Sequence, residues 1–407
     1  MDKFVQNIFL ILLPFYPFWA YLLYSITKKP ASIYVVLMLI PLAFYSLLTR
    51  RIRIPKYLIF LILFTIYHLS SIFINNLFPE GTNKIFFLLS DTNIFACLLF
   101  IVIESISFDD GFITKMNKLI FILVIITSIV SIIQIKYPSF FVAPDITDNP
   151  DVMLYLGDRS FSIFSWINMN SLGISFPLLI SILLSVPNFN KKNNPIIILI
   201  GIVVSFLTKA RYVMMSTIIV LSQLFINSEV ALRKRVYSIV LIVGLVFVSA
   251  GVAAFYGFNI QQVIDNRILE KETGMGSARA RVTSYEVFMI KFPEHPWFGV
   301  GPQTRDDVLR LLDGVAPLIH IGYLSYLYYY GVFGCLLLAL AIFYLLKNGW
   351  FIGKKFGFWG SFYGLLSFCF ANLTFVYFDL SEIGIVLAVI YLKHFSEKSI
   401  TELADKE

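Results

Sequence analysis

Long apolar stretches separated by short charged clusters dominate the hydropathy pattern of this chain. A helix of roughly 17 to 25 apolar residues is long enough to cross the hydrocarbon core of a membrane. The pattern predicts an all-α polytopic membrane protein with about twelve transmembrane helices. These lie near residues 7–26, 31–48, 57–77, 85–104, 117–136, 161–186, 195–208, 212–227, 237–257, 319–346, 356–375 and 383–394.

Composition supports the membrane assignment and limits the partners. Of 407 residues, 58% are hydrophobic and only 14% are charged, with a mean hydropathy of +0.81. A soluble domain is nearer half apolar and a quarter charged. The net charge of +7 comes from short basic clusters between apolar stretches, which are typical of topology determinants. We therefore expect membrane lipids as partners and no nucleic acid.

The basic clusters predict an orientation. With twelve spans and the N-terminus inside, both termini and four basic clusters fall on the cytoplasmic side. Lys28-Lys29 falls on the outer side and is the one exception. The four clusters are Arg50 to Lys56, Lys191-Lys192, Arg233-Lys234-Arg235 and Lys354-Lys355.

We expect residues 1–407 to form a single integral membrane domain, within which 258–318 is a long outward-facing loop. This loop holds eight acidic and seven basic residues and is the part of the chain with a soluble character. Loops this long inside compact proteins are usually functional. Glu286 to Lys291 is predicted to belong to an amphipathic helix near the membrane.

Several kinds of chemistry lack their motifs. The sequence has no G-x-x-x-x-G-K-[ST] run for a nucleotide phosphate and no H-E-x-x-H zinc site. Its three cysteines lie in or beside apolar stretches without metal-ligand spacing. We therefore expect neither a metal site nor a cofactor.

Arginines at predicted span boundaries are the candidates for binding an anion. A guanidinium group binds phosphate oxygens through two parallel hydrogen bonds and does not deprotonate. For each arginine alone, snorkelling or pairing with a nearby acid is the simpler interpretation. The candidates are Arg159, Arg211, Arg279 and Arg281.

A single histidine at a predicted helix start, His320, is the candidate general base, although a satisfied interfacial histidine is the commoner case. His68, His295 and His394 carry less weight. Asn168 and Asn170 lie just inside the sixth predicted span. They either bridge helices or contact a polar substrate.

Four segments, in this order along the chain, carry a resemblance to a known family. They are Arg159 to Gly173 with Asn168-Met169-Asn170, Thr208 to Arg211, Arg281 to Gly301 with His295-Pro296-Trp297-Phe298-Gly299-Val300-Gly301, and His320-Ile321 followed after nine residues by Gly331-Val332-Phe333-Gly334. Together they resemble the bacterial O-antigen polymerase and O-antigen ligase superfamily. Met169 replaces the usual proline, Tyr285 the common tryptophan, and Ile321 the polar residue of the ligases.

The resemblance implies a glycosyltransferase C-type fold and metal-independent catalysis at the periplasmic face of the bacterial inner membrane. It implies undecaprenyl-pyrophosphate-linked oligosaccharide as the substrate, and it allows a chain-length regulator protein as a further partner. Carried over residue by residue, it makes His320 the base and Arg211 and Arg281 the groups that bind the donor pyrophosphate. Arg159 and Arg279 are further pyrophosphate candidates, and Asn168, Asn170 and Tyr285 would line the substrate.

Three functions remain open from the sequence. The first is an O-antigen polymerase that joins lipid-linked repeat units, which is favoured because Ile321 breaks the ligase pattern. The second is an O-antigen ligase that transfers glycan to lipid A-core. The third is a lipid-linked oligosaccharide flippase or other transporter. A transporter would more often show charged residues deep in its helices and paired repeat halves.

Overall fold

The protein folds as a bundle of helices in the computed structural model. The structure describes residues 2–49, 54–78, 83–143, 160–166, 171–208, 210–226, 277–303, 305–314, 319, 321–373 and 379–404. Every regular element in these ranges is helical, comprising fifteen α-helices and two short 3-10 helices. The predicted all-α class is confirmed.

The helices vary widely in length. They are α1 Asp2–Leu12, α2 Tyr16–Thr27, α3 Ala31–Thr49, α4 Lys56–Ile74, α5 Lys84–Leu89, α6 Thr92–Glu104, α7 Asp110–Lys136, α8 Ser171–Ser185, α9 Pro187–Thr208, α10 Arg211–Ile226, α11 Ser277–Lys291, α12 Arg305–Leu311, α13 Gly322–Phe356, α14 Gly360–Ala371 and α15 Ile383–Ala404. The 3-10 helices are Ser162–Trp166 and Phe292–Glu294.

Four helices, α3, α4, α7 and α13, are long and apolar enough to cross a membrane. α1 and α2 meet the same criterion as a pair. Five shorter apolar helices of 10–17 residues lie in α6, α8, α9, α10 and α14. The multi-pass membrane character predicted from the sequence is therefore confirmed, while the count of about twelve spans stays a prediction.

Two predicted continuous helices are broken, so those predictions were wrong. The first, over 7–26, is bent by 77° between α1 and α2. Pro14 lies at this bend, and proline removes a backbone donor and disfavours helix in the residue before it. The second, over 85–104, divides into α5 and α6 because Asp91 caps a new helix by accepting from the backbone N–H groups of Asn93 and Ile94.

Other predicted boundaries also move. The span predicted over 319–346 extends as α13 to Phe356 and is interrupted at Gly331. The span predicted over 356–375 shortens to α14, which covers twelve residues. In the span predicted over 161–186, the described residues form a 3-10 helix and then α8, which begins at Ser171. The ninth predicted span, 237–257, lies outside the described residues.

α8 forms the centre of the bundle, since every one of its residues is buried. It packs against α9, α10, α14 and α15. Small residues on the neighbouring helices allow close approach, as is common between membrane helices. A Cβ atom on Gly384 of α15, for example, would lie 2.8 Å from the backbone of Ser175. This close packing places the start of α15 directly against the start of α8.

The two ends of the bundle differ in what they carry. α1 and the second half of α15 lie at one end, where Gln6 Nε2 donates to the carbonyl of Ser107 (2.6 Å) and His394 Nδ1 contacts the carbonyl of Phe108 (2.7 Å). Lys355 also lies there, because its Nζ donates to Ser399 Oγ (2.6 Å). We call this the terminal end. The opposite end carries the starts of α8, α10 and α13, and we call it the motif end.

The described part of the predicted outward loop packs on α13 through a small hydrophobic core of its own. This core comprises Phe288, Val308, Leu312, Ile319 and Tyr328. The helix predicted around Glu286 to Lys291 is present and longer, as α11. Its exposed face carries Val282, Tyr285, Met289 and Ile290. That these residues lie near a membrane stays a prediction.

Candidate functional site

The segment that follows Arg159 is held by the end of α7. Gln134 Oε1 accepts hydrogen bonds from Ser160 Oγ (2.9 Å) and from the backbone N–H of Ser162 (2.7 Å). The backbone N–H of Ser160 donates to the carbonyl of Leu207 (3.1 Å), at the end of α9. Arg159 itself lies outside the described residues. Ser160, which follows Arg159 in sequence, is therefore held against Leu207, and Leu207 is four residues before Arg211.

Arg211 is the first residue of α10, and the side chain after it, Tyr212, packs against Gly173 at the end of the first motif segment. A Cβ atom on Gly173 would lie 2.0 Å from the ring of Tyr212, so only glycine permits this contact. The Arg211 side chain, Asn168 and Asn170 lie outside the described part of the structure. The first two motif segments are thus adjacent along their backbones.

Arg281 lies on the face of α11 that points towards α13. Ser284 and Phe288 follow it at helical spacing, and both are buried. The Arg281 Nε atom is buried too. Tyr285 lies on the exposed face, with 52% of its side chain accessible. The structure describes the backbone of Arg279 in α11 but not its side chain.

His320 lies outside the described residues, but both of its neighbours are described. Ile319 is buried in the small core of the loop layer, and Ile321 is the N-cap residue of α13. The Ile321 side chain makes no capping hydrogen bond. α13 therefore starts at Gly322, two residues after His320, and its N-cap residue gives its first N–H groups no side-chain acceptor.

The third and fourth segments interlock through their backbones. The N–H groups of Val300 and Gly301 donate to the carbonyls of Tyr328 (3.1 Å) and Tyr329 (2.7 Å). In return, the N–H of Val332 donates to the carbonyl of Pro296 (2.9 Å). These bonds replace the helical bonds that α13 loses where it breaks. We call this arrangement the glycine joint, comprising residues 295–301 and 328–334.

Glycine is required at the centre of the joint for two reasons. Gly331 has φ +62° and Gly299 has φ +66°, a region that other residues rarely adopt. A Cβ atom on Gly331 would also lie 2.4 Å from the carbonyl of Trp297, and one on Gly299 would lie 2.4 Å from the carbonyl of Tyr329. The two glycine motifs are therefore one structural device.

α14 connects the two pairs of segments. Ser216 Oγ of α10 donates to the carbonyl of Ser367 (3.3 Å), and Tyr323 Oη of α13 donates to the carbonyl of Cys369 (2.6 Å). Tyr323 is three residues after His320, and Ser216 is five residues after Arg211. All four motif segments consequently converge on the motif end of the bundle.

Residues 196–339 match a family model described as O-antigen ligase. This part of the chain resembles the O-antigen polymerase and ligase superfamily. The matched O-antigen ligase segment contains three of the four motif segments and ends just after the glycine joint. None of the curated proteins matches the chain at a significant level. The predicted resemblance to this superfamily is confirmed.

A buried acid lies beside the start of α8, next to the first motif segment, and was not predicted from the sequence. Glu382, in the turn before α15, accepts hydrogen bonds from Ser171 Oγ (2.6 Å) and Ser175 Oγ (2.9 Å). Burial, with a smaller contribution from the charge of Asp379, raises the pKa of Glu382 to about 8. The sequence around Glu382 contains no motif that marks it as a site residue, because only the fold brings Glu382 next to Ser171.

Burial likewise raises the pKa of Asp379, and the charge of Asp91 adds to the effect. Asp91, at the start of α6, lies at the motif end through its contact with His68, which in turn contacts Tyr330. Among the described residues, no group of three or more histidines, cysteines and acids could hold a metal ion.

Proposed function

We propose that the protein is a membrane glycosyltransferase that polymerises a surface polysaccharide, joining undecaprenyl-pyrophosphate-linked repeat units at the periplasmic face of the inner membrane. The convergence of all four motif segments on one end of the bundle carries this proposal. The candidate arginines and the histidine are far apart in sequence, and the described segments that flank them are linked by hydrogen bonds in the fold. The family match over residues 196–339 supports the same class of enzyme.

The proposed reaction is a single displacement at a sugar carbon. A hydroxyl oxygen of the acceptor glycan attacks C1 of the donor sugar, and the bond from C1 to the pyrophosphate oxygen breaks. The proton of that hydroxyl passes to His320, and undecaprenyl pyrophosphate leaves. One such displacement inverts the anomeric centre. A positioned base typically contributes about 10²–10⁴-fold to such a step.

Arginine suits the leaving group. Negative charge grows on the pyrophosphate as the bond to C1 breaks, and fixed guanidinium groups stabilise that charge without reorganisation. Arg211 and Arg281 are the proposed pyrophosphate ligands, with Arg159 and Arg279 as further contacts. The partly buried position of Arg281 favours this role, because hydrogen bonds to a charged group strengthen away from water.

A ligase that transfers finished glycan to lipid A-core is the second candidate, favoured by the description of the matching family. The residue that follows His320 favours the polymerase instead. Ligase motifs carry a polar residue at this position, whereas Ile321 offers the helix start no hydrogen bond. Both candidates use the same displacement and differ in the acceptor hydroxyl.

A lipopolysaccharide gel from a host with the cognate sugar gene cluster tests the proposal. Deletion of the gene is expected to leave lipid A-core with a single repeat unit and no ladder. The intact gene should restore the ladder, and a His320→Ala variant should not. Bare lipid A-core with accumulating lipid-linked polymer would make the protein a ligase. Repeat units trapped on the cytoplasmic side would make it a transporter.

A further inference from the structure

A buried line of three polar side chains reaches the glycine joint from α4. His68 Nδ1 lies 2.8 Å from Tyr330 Oη, and His68 Nε2 lies 2.7 Å from Asp91 Oδ2. His68 is only 2% exposed, so neither ring nitrogen is available to a substrate. The ring of Phe64 packs edge-on against Tyr330 with a centroid separation of 5.1 Å. His68 therefore bridges two other elements, and it does not itself meet the reacting groups.

Asp91 is the fixed end of this line. Its Oδ1 accepts the backbone N–H groups of Asn93 (2.9 Å) and Ile94 (3.0 Å) at the start of α6. A helix N-terminus stabilises an ionised carboxylate. With Asp91 ionised, Nε2 of His68 carries a proton and donates to Oδ2. In this tautomer, Nδ1 accepts a hydrogen bond from the Tyr330 hydroxyl.

Tyr330 is the residue immediately before the break in α13. While its hydroxyl contacts His68, its carbonyl accepts a hydrogen bond from Tyr67 Oη (3.0 Å). The single hydroxyl proton of Tyr67 is shared between this carbonyl and that of Phe298, in the other half of the joint. The ring of Tyr67 occupies the space that a Cβ atom on Gly334 would fill, at 2.6 Å. Two consecutive residues of α4 thus hold both the side chain and the backbone of Tyr330.

We propose that His68 and Asp91, acting through Tyr330, are positioning residues that lock the break in α13 and so fix the helix start beside His320. The role in transfer rests on the proposed function, and the locking of the break does not. α4 and α6 lie outside the residues that match the family. The lock is therefore a contribution of the first half of the chain to a site formed by the second half.

The physical reason for a lock is the helix itself. Among the residues of α13, Gly331 has the non-helical backbone angles, so its rotation would change the direction of the nine residues that precede it. Those residues begin directly after His320 and Ile321. A misplacement of about 1 Å at a reacting group can lower the rate about 10²-fold. Hydrogen bonds that select one direction of this segment therefore support catalysis at a distance.

A distance measurement tests the lock without any substrate. Spin labels at Met289→Cys on α11 and Phe343→Cys on α13 lie on opposite sides of the break, and both native side chains are exposed. The three native cysteines are replaced by alanine in this background. We expect one narrow distribution of label distances when His68 and Tyr330 are intact. His68→Phe and Tyr330→Phe should each add a second population of distances. A single unchanged distribution in both variants would overturn the proposal.

Kinetics test the link to transfer. Tyr330→Phe removes one hydroxyl, and we expect kcat to fall about 10- to 100-fold with KM changed less than about twofold. Tyr328→Phe is the matched control, because it removes a hydroxyl two residues away and should leave kcat unchanged. Equal effects of the two variants would contradict the lock. If His68→Phe fails to fold, the tyrosine pair still decides the question.

Two substitutions at Asp91 separate the lock from the helix cap. Serine keeps a cap for α6 but is too short to reach His68, whereas asparagine keeps the cap and can bond to the other tautomer of His68. We expect Asp91→Ser to lower kcat about 10-fold or more and Asp91→Asn to recover most of it. Full activity in Asp91→Ser would show that the cap alone matters and would contradict the lock. If His320→Ala retains full transfer while the distance result holds, the proposed catalytic site fails and the lock stands.

Discussion

Each end of the bundle holds a buried histidine that contacts an aspartate, and the two pairs sit in different surroundings. At the motif end, Asp91 is 13% exposed and His68 continues to Tyr330 at the break in α13. At the terminal end, Asp110 is 77% exposed, and His394 continues to the carbonyl of Phe108 in the turn before α7. The same residue pair therefore holds a strained helix break at one end and an ordinary connection at the other.

The difference suggests how this chain divides its functions. The terminal end carries lysines and short ion pairs such as Lys393 with Glu104 (3.3 Å), which tie the last helix to α6. The motif end carries the positive-φ glycines of the joint, Gly299 and Gly331, the buried acid Glu382 and the arginine segments. Strained backbone and buried charge persist where the surrounding structure over-determines them, and they often cluster at functional sites. Substitutions at the motif end should thus have larger effects than matched substitutions at the terminal end.

Removal of the proposed base should give the largest contrast. We expect His320→Ala to lower the transfer rate by about 10²–10⁴-fold. His394→Ala, at the terminal end, should leave the rate near that of the wild type. Immunoblots of membrane fractions check that both variants insert. Full activity in an inserted His320→Ala variant would remove its catalytic role.

Gly331 and Gly357 both have positive φ angles and allow the two ends of the bundle to be compared by stability. Gly331→Ala should destabilise the protein by about 2–4 kcal/mol, because strain adds to the collision of its Cβ with the Trp297 carbonyl. Gly357, at the terminal end, has φ +71°, and no atom lies within 4 Å of the position that a Cβ would take. Gly357→Ala should therefore cost only about 1 kcal/mol. Thermal unfolding in detergent measures the stability of both variants. Equal losses of stability would show that close packing at the glycine joint adds nothing to the backbone strain.

Even a substitution of Arg281 that keeps the positive charge should lower activity. Arg281→Lys replaces a planar fork by a point charge, so we expect kcat/KM to fall about 10- to 100-fold. Lys291→Arg, on the same helix and paired with Glu294 at 3.1 Å, is the control that should leave kcat/KM unchanged. Full activity of Arg281→Lys would reduce its role to a requirement for charge.

Glu382 predicts a smaller effect that depends on pH. Because burial raises the pKa of Glu382 above its ordinary value of 4.5, the folded state holds the proton more tightly than the unfolded state. Its contribution to stability is complete below about pH 4.5 and is lost as pH rises through about 8. Unfolding temperatures from pH 5 to 8 should fall less in Glu382→Gln than in the wild type. Glu402→Gln, at the terminal end, should keep the wild-type slope.

The smallest expected effect concerns the start of α13. Ile321→Asn supplies the missing N-cap acceptor and should stabilise the protein by about 0.5–1 kcal/mol. The ligases carry a polar residue at the position of Ile321. If that residue serves only to cap the helix, Ile321→Asn should leave the ladder of products unchanged. A shift of products from polymer to lipid A-core conjugate would instead make position 321 a determinant of the acceptor.

Much of the fold was predictable because lipid imposes a simple rule on sequence. Long apolar runs must form helices, and α3, α4 and α7 lie close to their predicted ranges. The breaks were harder. A capping aspartate at position 91 and a proline at position 14 interrupt runs that hydropathy treats as continuous. Local hydrogen bonding and proline geometry, which a hydropathy window averages out, decided those positions.

The candidate site was predictable in its motifs and not in its supports. The order of the four segments indicated that they act together, and the fold brings their backbones to one end. His68 carried little weight in the sequence, because nothing along the chain links it to Tyr330, 262 residues away. Glu382 was missed for the same reason, since its serine partners lie more than 200 residues earlier. The fold, and no local pattern, creates these contacts.

Reconstitution tests the central claim most directly. Purified protein in liposomes would receive undecaprenyl-pyrophosphate-linked repeat units in the presence of a metal chelator, and the length of the lipid-linked glycan would be followed. The account predicts a ladder of longer products with inverted linkages, no ladder with His320→Ala, and a normal ladder with His394→Ala. Substrate that crosses the bilayer without any elongation, or a ladder that His320→Ala still makes, would contradict it.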